Sequence, residues 1–476
     1  MNKKPVRTNG NGNIAGLSFD VIVIGGGVVG CAITRNFALS GARVLMLERG
    51  ADILSGASKA NSAILHTGFD APSDSLELAC IKSGYDAYLD LAPRLNLPTL
   101  KTGALIVAWN ETQLAGLSQI VKKAHNNRIN DVRLVDRNAL LIREPGLANL
   151  ALGAVEVPRE FVIDPWSTPL AYLTQAVRAG AEYRFNAEVS GGTFDGNYWR
   201  LTTNANEYCG SLIINCTGTN GDHIEEICRK PDFEIRPRKG QFLVFDKSAS
   251  GLINSIILPV PTAITKGVVL TKTIFGNLLL GPTAEEQVDR WEARVDHDKL
   301  RELIETGSRM LPGLRAHPVT ATYAGLRPAT QFADYQITAT RNKNWIGVNG
   351  IRSTGLTSAL GIAMYVEHLC TQNFADICKF SLAELPSWPQ MPNLAQDKIR
   401  AFQKGDGTEI VCHCENVTRG EIERALSSDI PARNTEGLRR RTRAMMGRCN
   451  GFYCSARITQ LLACQTSDKD PQVPEA

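Results

Sequence analysis

The chain has 476 residues, of which 43% are hydrophobic and 21% are charged, and its formal net charge is +4. This length can bury one large core or two to three domains, and no block of like charge is long enough to indicate nucleic-acid binding. Residues 1–18 are polar and lack the apolar centre of a signal peptide, and no apolar run is long enough to span a membrane. The twelve cysteines therefore indicate thiols in a reducing compartment rather than a disulfide framework.

The first strong signal is a glycine-rich turn between a predicted strand and a predicted helix. Residues 19–24 form a short, β-branched apolar run, which is typical of a buried parallel strand. Gly25, Gly27 and Gly30 then give G-x-G-x-x-G, which allows a tight turn, close approach to a pyrophosphate and helix–strand packing. Glu48 ends the next strand, where a carboxylate accepts hydrogen bonds from a ribose 2′-hydroxyl. The complete unit predicts a dinucleotide site rather than a turn that only packs.

The sequence of the loop after Glu48 distinguishes an FAD-binding domain from an NAD-binding domain. Residues 53–68 are rich in small and hydroxyl residues, among them Ser58 and Ser62, and suit a loop that follows a long cofactor away from its ribose. An NAD domain usually continues into another regular αβ unit. With this pattern the chain resembles the FAD-dependent oxidoreductase superfamily that includes D-amino-acid oxidase, glycine oxidase and glycerol-3-phosphate dehydrogenase. Within it, the chain looks like the large catalytic subunit of anaerobic glycerol-3-phosphate dehydrogenase and its oxidase relatives.

The next part of the chain mixes predicted helices and strands. Helices are predicted at residues 76–95, 111–126 and 168–179, and strands at residues 102–108, 187–189 and 211–218. The last of these strands ends in a small-residue turn at Gly218, where backbone can come close to the cofactor. By resemblance, Val189 offers its backbone to the adenine.

Residues 231–327 have a different sequence pattern, in which strand-like runs are separated by turns. The runs at residues 240–245, 255–258, 267–271 and 277–281 predict an antiparallel sheet. In the family, this sheet forms the substrate domain over the flavin face. Residues 345–359 then return to the cofactor domain, and the turn at Gly355 opens a helix over residues 356–369, whose positive end favours anionic oxygen.

The residues that we expect to contact FAD all lie at or next to these turns and strand ends. They are Gly25, Gly27, Gly30, Glu48, Arg49, Ser58, Ser62, Val189, Gly218, Gly355, Leu356 and Thr357.

A second strong signal lies near the C-terminus. Cys412 and Cys414 form C-x-C, and after 34 intervening residues Cys449 and Cys454 form C-x4-C. Zinc sites, the alternative, more often use C-x2-C, whereas a [2Fe–2S] cluster takes four thiolates, two for each iron. The segment resembles the bacterioferritin-associated-ferredoxin-like module of the anaerobic dehydrogenase. This implies that the four cysteines are cluster ligands, between helices at residues 417–426 and 458–464.

Other residues near the module are expected to be structural. The remaining eight cysteines, Cys370 and Cys378 among them, fall singly and are expected as small buried side chains. The basic run at residues 439–443 is predicted as a solvated helix face beside an anionic partner or cluster. With Arg448, this run would offset the negative charge of the thiolates.

The predicted fold class is α/β, with a Rossmann-type FAD-binding domain interleaved with a mainly antiparallel α+β substrate domain and followed by a small helical iron–sulfur domain. Trp388 is expected to pin a proline-rich linker to a surface. The expected boundaries are a flexible arm at residues 1–18, the FAD-binding domain at 19–95, 161–225 and 326–370, the substrate domain at 96–160 and 226–325, the linker at 371–407, the [2Fe–2S] module at 408–466 and a tail at 467–476.

Three residues are candidates for the chemistry of a flavin dehydrogenase, which needs a proton acceptor and a charge that fixes the substrate. His66 is the candidate acceptor, because imidazole titrates near neutrality and the family's corresponding loop lies beside the flavin. Its alternative role is that of a hydrogen-bonded structural histidine. Arg327 is the candidate clamp, because the segment resembles one whose arginine binds the substrate's anionic end, and guanidinium matches carboxylate or phosphate bidentately. Lys266 could add positive charge near the substrate or the flavin, and its alternative is a surface lysine.

The function predicted from these features is FAD-dependent oxidation of a small anionic 2-hydroxy compound, with sn-glycerol 3-phosphate as the preferred substrate. Electrons would leave through the [2Fe–2S] cluster to a partner subunit or quinone, in a cytoplasmic hetero- or homo-oligomer that can also contact the inner face of the membrane. One alternative is an L-2-hydroxyglutarate-type or amino-acid/opine dehydrogenase, although Val269 stands where the former is expected to carry histidine. Another is an electron-transfer subunit that holds FAD without turning over substrate.

Overall fold

The computed structural model of the chain describes residues 18–261, 267–381, 384–405 and 408–466. The predicted arm before Ser18, the predicted tail and Lys266 lie outside these residues. The helices are α1 (Val28–Leu39), α2 (Leu76–Arg94), α3 (Glu111–Asn126), α4 (Arg137–Arg143), α5 (Ser167–Arg178), α6 (Gly221–Glu225), α7 (His297–Met310), α8 (Gly355–Asn373), α9 (Arg419–Leu426), α10 (Thr435–Thr442) and α11 (Ser455–Thr466).

The strands are, in chain order, β1 (Ser18–Ile24), β2 (Val44–Leu47), β3 (Ile64–Leu65), β4 (Thr99–Leu100), β5 (Ala104–Ala108), β6 (Arg133–Asp136), β7 (Gly153–Val157), β8 (Phe161–Ile163), β9 (Glu182–Arg184), β10 (Val189–Phe194), β11 (Trp199–Thr203), β12 (Glu207–Asn215), β13 (Arg236–Phe245), β14 (Ile256–Pro259), β15 (Val269–Lys272), β16 (Leu278–Gly281), β17 (Glu285–Glu286), β18 (Val319–Ala329), β19 (Gln336–Thr340), β20 (Trp345–Asn349), β21 (Ile410–Cys412) and β22 (Val417–Thr418).

The first sheet forms the cofactor side of the molecule. Its strand order is β10-β11-β12-β1-β2-β9, with β20 beside β12 and β19 beside β20. β1 runs parallel to both of its neighbours, and Val21, Ile22 and Val23 are fully buried, as expected for a central strand of a parallel sheet. Apolar side chains of α1, α2, α5 and α8 form one core with one face of this sheet. The predicted strand–turn–helix–strand unit is therefore confirmed.

The second sheet has the order β17-β13-β16-β15-β14-β5-β7-β6, with β18 beside β13. It confirms the predicted antiparallel layer, because the runs at residues 240–245, 255–258, 267–271 and 277–281 fall on β13, β14, β15 and β16. One pairing differs from the prediction, since β14 runs parallel to β5. The sequence does not indicate this pairing because the two strands are far apart in the chain.

A small three-stranded sheet of order β3-β8-β4 follows the predicted cofactor loop. β3 and β8 are antiparallel, and Leu65 lies opposite Phe161. The residue that follows Leu65 and the residue that precedes Phe161 are therefore brought side by side. These two residues are His66 and Glu160.

The C-terminal module has its own small core, built from apolar residues of β21, β22, α9, α10 and α11. The N-terminus of α9 carries a capping box, in which Thr418 and Glu421 satisfy each other's backbone N–H groups. The predicted helix at residues 417–426 therefore begins as the strand β22 and becomes helical at Arg419. The basic run at residues 439–443, predicted as a helix face, does fall on helix α10, which begins earlier, at Thr435, and ends at Thr442.

Buried ion pairs dock this module onto the rest of the chain. Arg441 makes two contacts with Asp52, from Nη1 to Oδ2 at 2.5 Å and from Nη2 to Oδ1 at 2.8 Å, and both side chains are at least 95% buried. Arg440 is also buried and donates to the carbonyl of Ile53. The prediction of a solvated basic face is thus wrong for these two arginines, because the loop after β2 supplies a carboxylate and a carbonyl that compensate their burial. It is also wrong for Arg443, which is 5% exposed.

The arginines expected to offset the charge of the cysteine thiolates bind carboxylates in the structure. Arg448 binds Asp246 through two hydrogen bonds of 2.6 Å, and this contact holds the pKa of the Asp246 carboxyl well below its usual value. Arg443 instead binds Glu415, next to Cys414, at 3.0 Å. These arginines therefore compensate carboxylates, two of which, Asp52 and Asp246, lie outside the module.

Smaller differences from the prediction concern the linker and the first sheet. Cys370 and Cys378 are bonded as a disulfide, so the prediction of single buried thiols is wrong for this pair, because the turn after α8 brings them together. Trp388 does pin the linker, since the guanidinium of Arg94 lies 3.5 Å from its ring centroid. The strand expected at residues 187–189 starts only at Val189 as β10, and β9 is not predicted, because three residues show no clear alternation. No helix among the described residues is long and apolar enough to cross a membrane.

Candidate functional site

The glycine turn after β1 is shaped by close backbone contacts. Gly25 has φ = +108°, and a Cβ atom there would lie 2.6 Å from the carbonyl oxygen of Cys216. A Cβ atom at Gly30 would collide with the carbonyl oxygen of Gly25. Because neither position accepts a side chain, the turn is tight and α1 begins directly at its end.

A cavity of about 380 Å³ opens where β1 meets the N-terminus of α1. It lies between the first sheet and the loops after β2, β12 and β20. Eight of the twelve predicted cofactor residues line it, namely Gly25, Gly27, Glu48, Arg49, Ser58, Val189, Gly218 and Gly355. The other four, Gly30, Ser62, Leu356 and Thr357, do not line it; Gly30 packs against Gly25, and Thr357 contacts His66 instead.

Glu48 lies at the end of β2, as predicted, and its carboxylate is held by backbone groups. Its Oε2 accepts a hydrogen bond from the N–H of Gly26 at 2.6 Å, and its Oε1 accepts from the N–H of Gly50 at 2.7 Å. Burial raises the pKa of the Glu48 carboxyl above its usual value. The carboxylate is thus fixed in the cavity wall with lone pairs left for a ribose hydroxyl.

The cavity also has lining residues that the sequence does not point to. Asn349 is 2% exposed, and both its Nδ2 and its Oδ1 lack a hydrogen-bond partner in the described part of the chain. Trp291 closes another side of the cavity, with the guanidinium of Arg49 3.3 Å from its ring centroid. Arg290, beside it, anchors this segment to Asp222 with bonds of 2.5 and 2.9 Å. Both amide atoms of Asn349 are enclosed, with Oδ1 over Gly221 and Nδ2 over Gly347, so this amide is an unsatisfied buried polar group beside the cavity rather than one open to it.

His66 lies beside the first turn of α8, directly after β3. Its backbone N–H donates to Oγ1 of Thr357 at 2.9 Å, and its Nδ1 lies 2.8 Å from Oε2 of Glu160. The side chain of Glu160 is fully buried, whereas that of His66 is 24% exposed. The imidazole is therefore anchored through Nδ1 while part of its ring stays accessible.

Arg327 lies on β18, on the strand face that covers the cofactor loop. On this face, the hydroxyl of Tyr323 donates to the carbonyl of Asn61 at 2.8 Å, and a Cβ atom at Gly325 would lie 2.6 Å from the carbonyl oxygen of Ala60. Side chains two residues apart on a strand share a face, so Arg327 points to the same side.

The guanidinium of Arg327 is a cation whose charge is not balanced by a neighbouring carboxylate of the described residues. It packs over Gly240 and is bonded to no carboxylate among the described residues. Burial, helped by the charge of Arg238, lowers the pKa of Arg327 to about 10. A half-buried cation that no carboxylate of the described residues binds fits an anionic ligand. Lys266, the other predicted cation, lies outside the described residues.

The four predicted ligand cysteines come together as two pairs. The side chain of Cys414 lies against that of Cys449, and the side chain of Cys412 lies against that of Cys454. Cys414 is exposed and Cys449 is partly exposed, whereas the other two are buried. No three histidine, cysteine or carboxylate side chains in the described ranges converge as a site for a single ion would require. Two thiol pairs are the donor set of a two-iron cluster, in which each iron takes two thiolates.

Comparison with known proteins agrees with this geometry. Residues 20–369 match the family described as FAD dependent oxidoreductase, and residues 410–464 match the BFD-like [2Fe-2S] binding domain. The chain is similar to a glycerol 3-phosphate dehydrogenase of Caloramator mitchellensis, with 31% identity and 94% of each chain covered. It is also similar to one of the subunits of the anaerobic glycerol-3-phosphate dehydrogenase of Escherichia coli (strain K12), with 26% identity over 94% of this chain and 88% of that one.

A solved structure has a similar fold. It is the dithionite-reduced L-alpha-glycerophosphate oxidase from Mycoplasma pneumoniae with FAD bound, which has 26% sequence identity and a TM-score of 0.71. The match covers 79% of this chain and 99% of that chain. The C-terminal module of this chain is matched separately, by the iron–sulfur family.

Proposed function

This chain belongs to the FAD dependent oxidoreductase family, and on that premise we propose that it oxidises sn-glycerol 3-phosphate to dihydroxyacetone phosphate. By their names, the dehydrogenase and oxidase relatives act on the same substrate. The observation in this chain that carries the proposal is the half-buried guanidinium of Arg327, which no carboxylate among the described residues binds.

The cavity after β1 fits FAD. Its glycine turn leaves room for a pyrophosphate, the N-terminus of α1 favours anionic oxygen, and the carboxylate of Glu48 in the cavity wall can accept from a ribose hydroxyl. When bound, FAD supplies the acceptor for the hydride that leaves the substrate's C–H bond.

Arg327 would bind the phosphate of the substrate. A phosphate and a planar guanidinium match through two parallel hydrogen bonds, which are stronger where water is excluded. An anion at this position also compensates a charge that is otherwise half-buried without a carboxylate partner in the described part of the chain. A carboxylate would suit the arginine too, so L-2-hydroxyglutarate and amino acids are the competing substrates.

His66 would accept the proton of the substrate hydroxyl. Its side chain is partly exposed, and Glu160 engages its Nδ1, so Nε2 is the ring atom that would take the proton. Lys266 stays a prediction as a further positive charge in the substrate site.

The iron–sulfur module provides the exit for electrons. The cysteine pair Cys412 and Cys454 faces the protein interior, and the pair Cys414 and Cys449 faces the surface. Phe452 and Tyr453, between the ligands Cys449 and Cys454, are each 80% exposed. We propose that the acceptor, a partner subunit or a quinone, approaches this surface in the cytoplasm or at the inner face of the membrane.

The test of the substrate is anoxic mixing of the flavin-loaded protein with candidate substrates. We expect sn-glycerol 3-phosphate to bleach the visible absorbance of the flavin, and L-2-hydroxyglutarate and amino acids to leave it unchanged at equal concentration. Bleaching by one of the carboxylates alone would assign the chain to that substrate class. No bleaching by any of them would favour a subunit that holds FAD without turning over substrate.

A further inference from the structure

We propose that Glu160 is a positioning residue that holds the imidazole of His66 in the orientation and tautomer needed to accept the substrate's hydroxyl proton. The inference rests on the function proposed above, because it concerns the proton acceptor of that reaction. Its basis is the direct contact between the two side chains, which joins a buried carboxylate to a partly exposed imidazole.

The local fold explains why these two residues meet. β3 and β8 are antiparallel, and Leu65 lies opposite Phe161. His66, directly after β3, is therefore next to Glu160, directly before β8. The two side chains are joined by the 2.8 Å contact between Nδ1 of His66 and Oε2 of Glu160. The pair is thus specified by strand register and not by neighbourhood in the sequence, in which the two residues are 94 positions apart.

The carboxylate of Glu160 is itself held rigidly. Its Oε1 accepts two hydrogen bonds from Thr67, one from the backbone N–H at 2.6 Å and one from the hydroxyl at 2.8 Å. Glu160 is fully buried, so its orientation is fixed by these bonds and by packing. A rigid acceptor at Oε2 in turn fixes the plane of the imidazole ring of His66.

This arrangement selects one tautomer of the imidazole. A carboxylate only accepts, so Nδ1 of His66 carries the hydrogen and Nε2 keeps its lone pair. In the oxidation, the substrate's O–H bond breaks and its proton moves to Nε2, while the C–H bond breaks and its hydride goes to the flavin, leaving a C=O bond. The negative charge of Glu160 stabilises the imidazolium that this step creates.

A purely structural carboxylate elsewhere in the chain provides a comparison. Glu144 is also fully buried, and its two oxygens accept from the backbone N–H groups of Asn254 and Ser255, each at 2.7 Å. Glu144 thus holds a loop through backbone groups. Glu160 differs in that one of its oxygens holds a side chain that can carry a proton.

The test compares Glu160→Gln with Glu144→Gln as the matched control. In anoxic stopped-flow mixing with sn-glycerol 3-phosphate, we expect Glu160→Gln to slow flavin reduction roughly 100-fold, with an unchanged KM and normal flavin content. Glu144→Gln is expected to lower the melting temperature and leave the rate of flavin reduction unchanged. Equal rates in the two variants and the wild type would overturn the inference.

A second readout does not depend on catalysis. In protein labelled with ¹⁵N-histidine, the wild type should show the His66 resonances of a ring with its hydrogen on Nδ1, assigned with His66→Asn, and Glu160→Gln should shift the tautomer equilibrium. Thr67→Val, which removes one of the two bonds to Oε1, should give an intermediate rate if Glu160→Gln does not fold. A wild type that glycerol 3-phosphate does not reduce refutes the proposed function, whereas an unchanged tautomer in Glu160→Gln refutes the role of Glu160.

Discussion

Replacement of Arg327 by alanine is expected to raise the KM for sn-glycerol 3-phosphate by roughly 10²- to 10⁴-fold while FAD stays bound. The size follows from two charge-assisted hydrogen bonds between guanidinium and phosphate, each worth about 1.5–3 kcal/mol. Arg327 does not line the cofactor cavity, so flavin content should be unaffected. The variant should also unfold at no lower temperature than the wild type, because it removes a half-buried cation that has no counter-ion among the described residues.

The matched control for this variant is Arg238→Ala. Arg238 lies directly opposite Arg327 in the pairing of β13 with β18, but its guanidinium is 42% exposed and binds Glu286. Exposed ion pairs contribute little, so the KM of this variant should be close to that of the wild type. Steady-state kinetics under anoxia with an artificial electron acceptor measure the KM of both variants. An unchanged KM in Arg327→Ala would remove this residue from substrate binding.

Replacement of Cys449 by serine is expected to abolish the visible absorbance of the [2Fe–2S] cluster and to spare reduction of the flavin by substrate. Cys449 and Cys414 form the outer of the two thiol pairs, and loss of one thiolate leaves one iron incompletely ligated. The cofactor cavity is built from other elements, β1, α1 and the loops around them, so the flavin half-reaction does not depend on the cluster.

Cys464→Ser is the matched control, because Cys464 is an exposed thiol in the same module outside the two pairs. It should retain iron, sulfide and the cluster absorbance. Reoxidation of the substrate-reduced protein by its natural acceptor then tests the electron path. If Cys449→Ser still passes electrons to that acceptor at the rate of the wild type, the module does not relay electrons and its role is structural.

The parts of the fold that the sequence predicts are those whose signals are local. The turn at Gly25 and Gly30 is recognisable because each position excludes a side chain for a backbone reason. The antiparallel layer is recognisable from short apolar runs between turns, and the thiol pairs from two short cysteine spacings. In each of these cases, the signal lies in short stretches of sequence, even though the thiol pairs that form join Cys414 to Cys449 and Cys412 to Cys454.

The parts that the sequence does not predict depend on contacts between distant segments. Glu160 becomes part of the site only through the register of β3 and β8, and its one local signal is an acidic residue directly before an apolar strand. The burial of Arg441 depends on Asp52, nearly 400 residues earlier in the chain. Asn349 looks like an ordinary strand end until its amide is found buried without a partner among the described residues.

The central claim is that this chain carries electrons from glycerol 3-phosphate through FAD to the [2Fe–2S] cluster. The most direct measurement is an anoxic titration of the purified protein with sn-glycerol 3-phosphate, with the flavin followed by absorbance and the cluster by electron paramagnetic resonance in the same samples. We expect the flavin to bleach and the signal of the reduced cluster to grow together. Protein that stays colourless after reconstitution with FAD, or a flavin that the substrate leaves oxidised, would contradict the account.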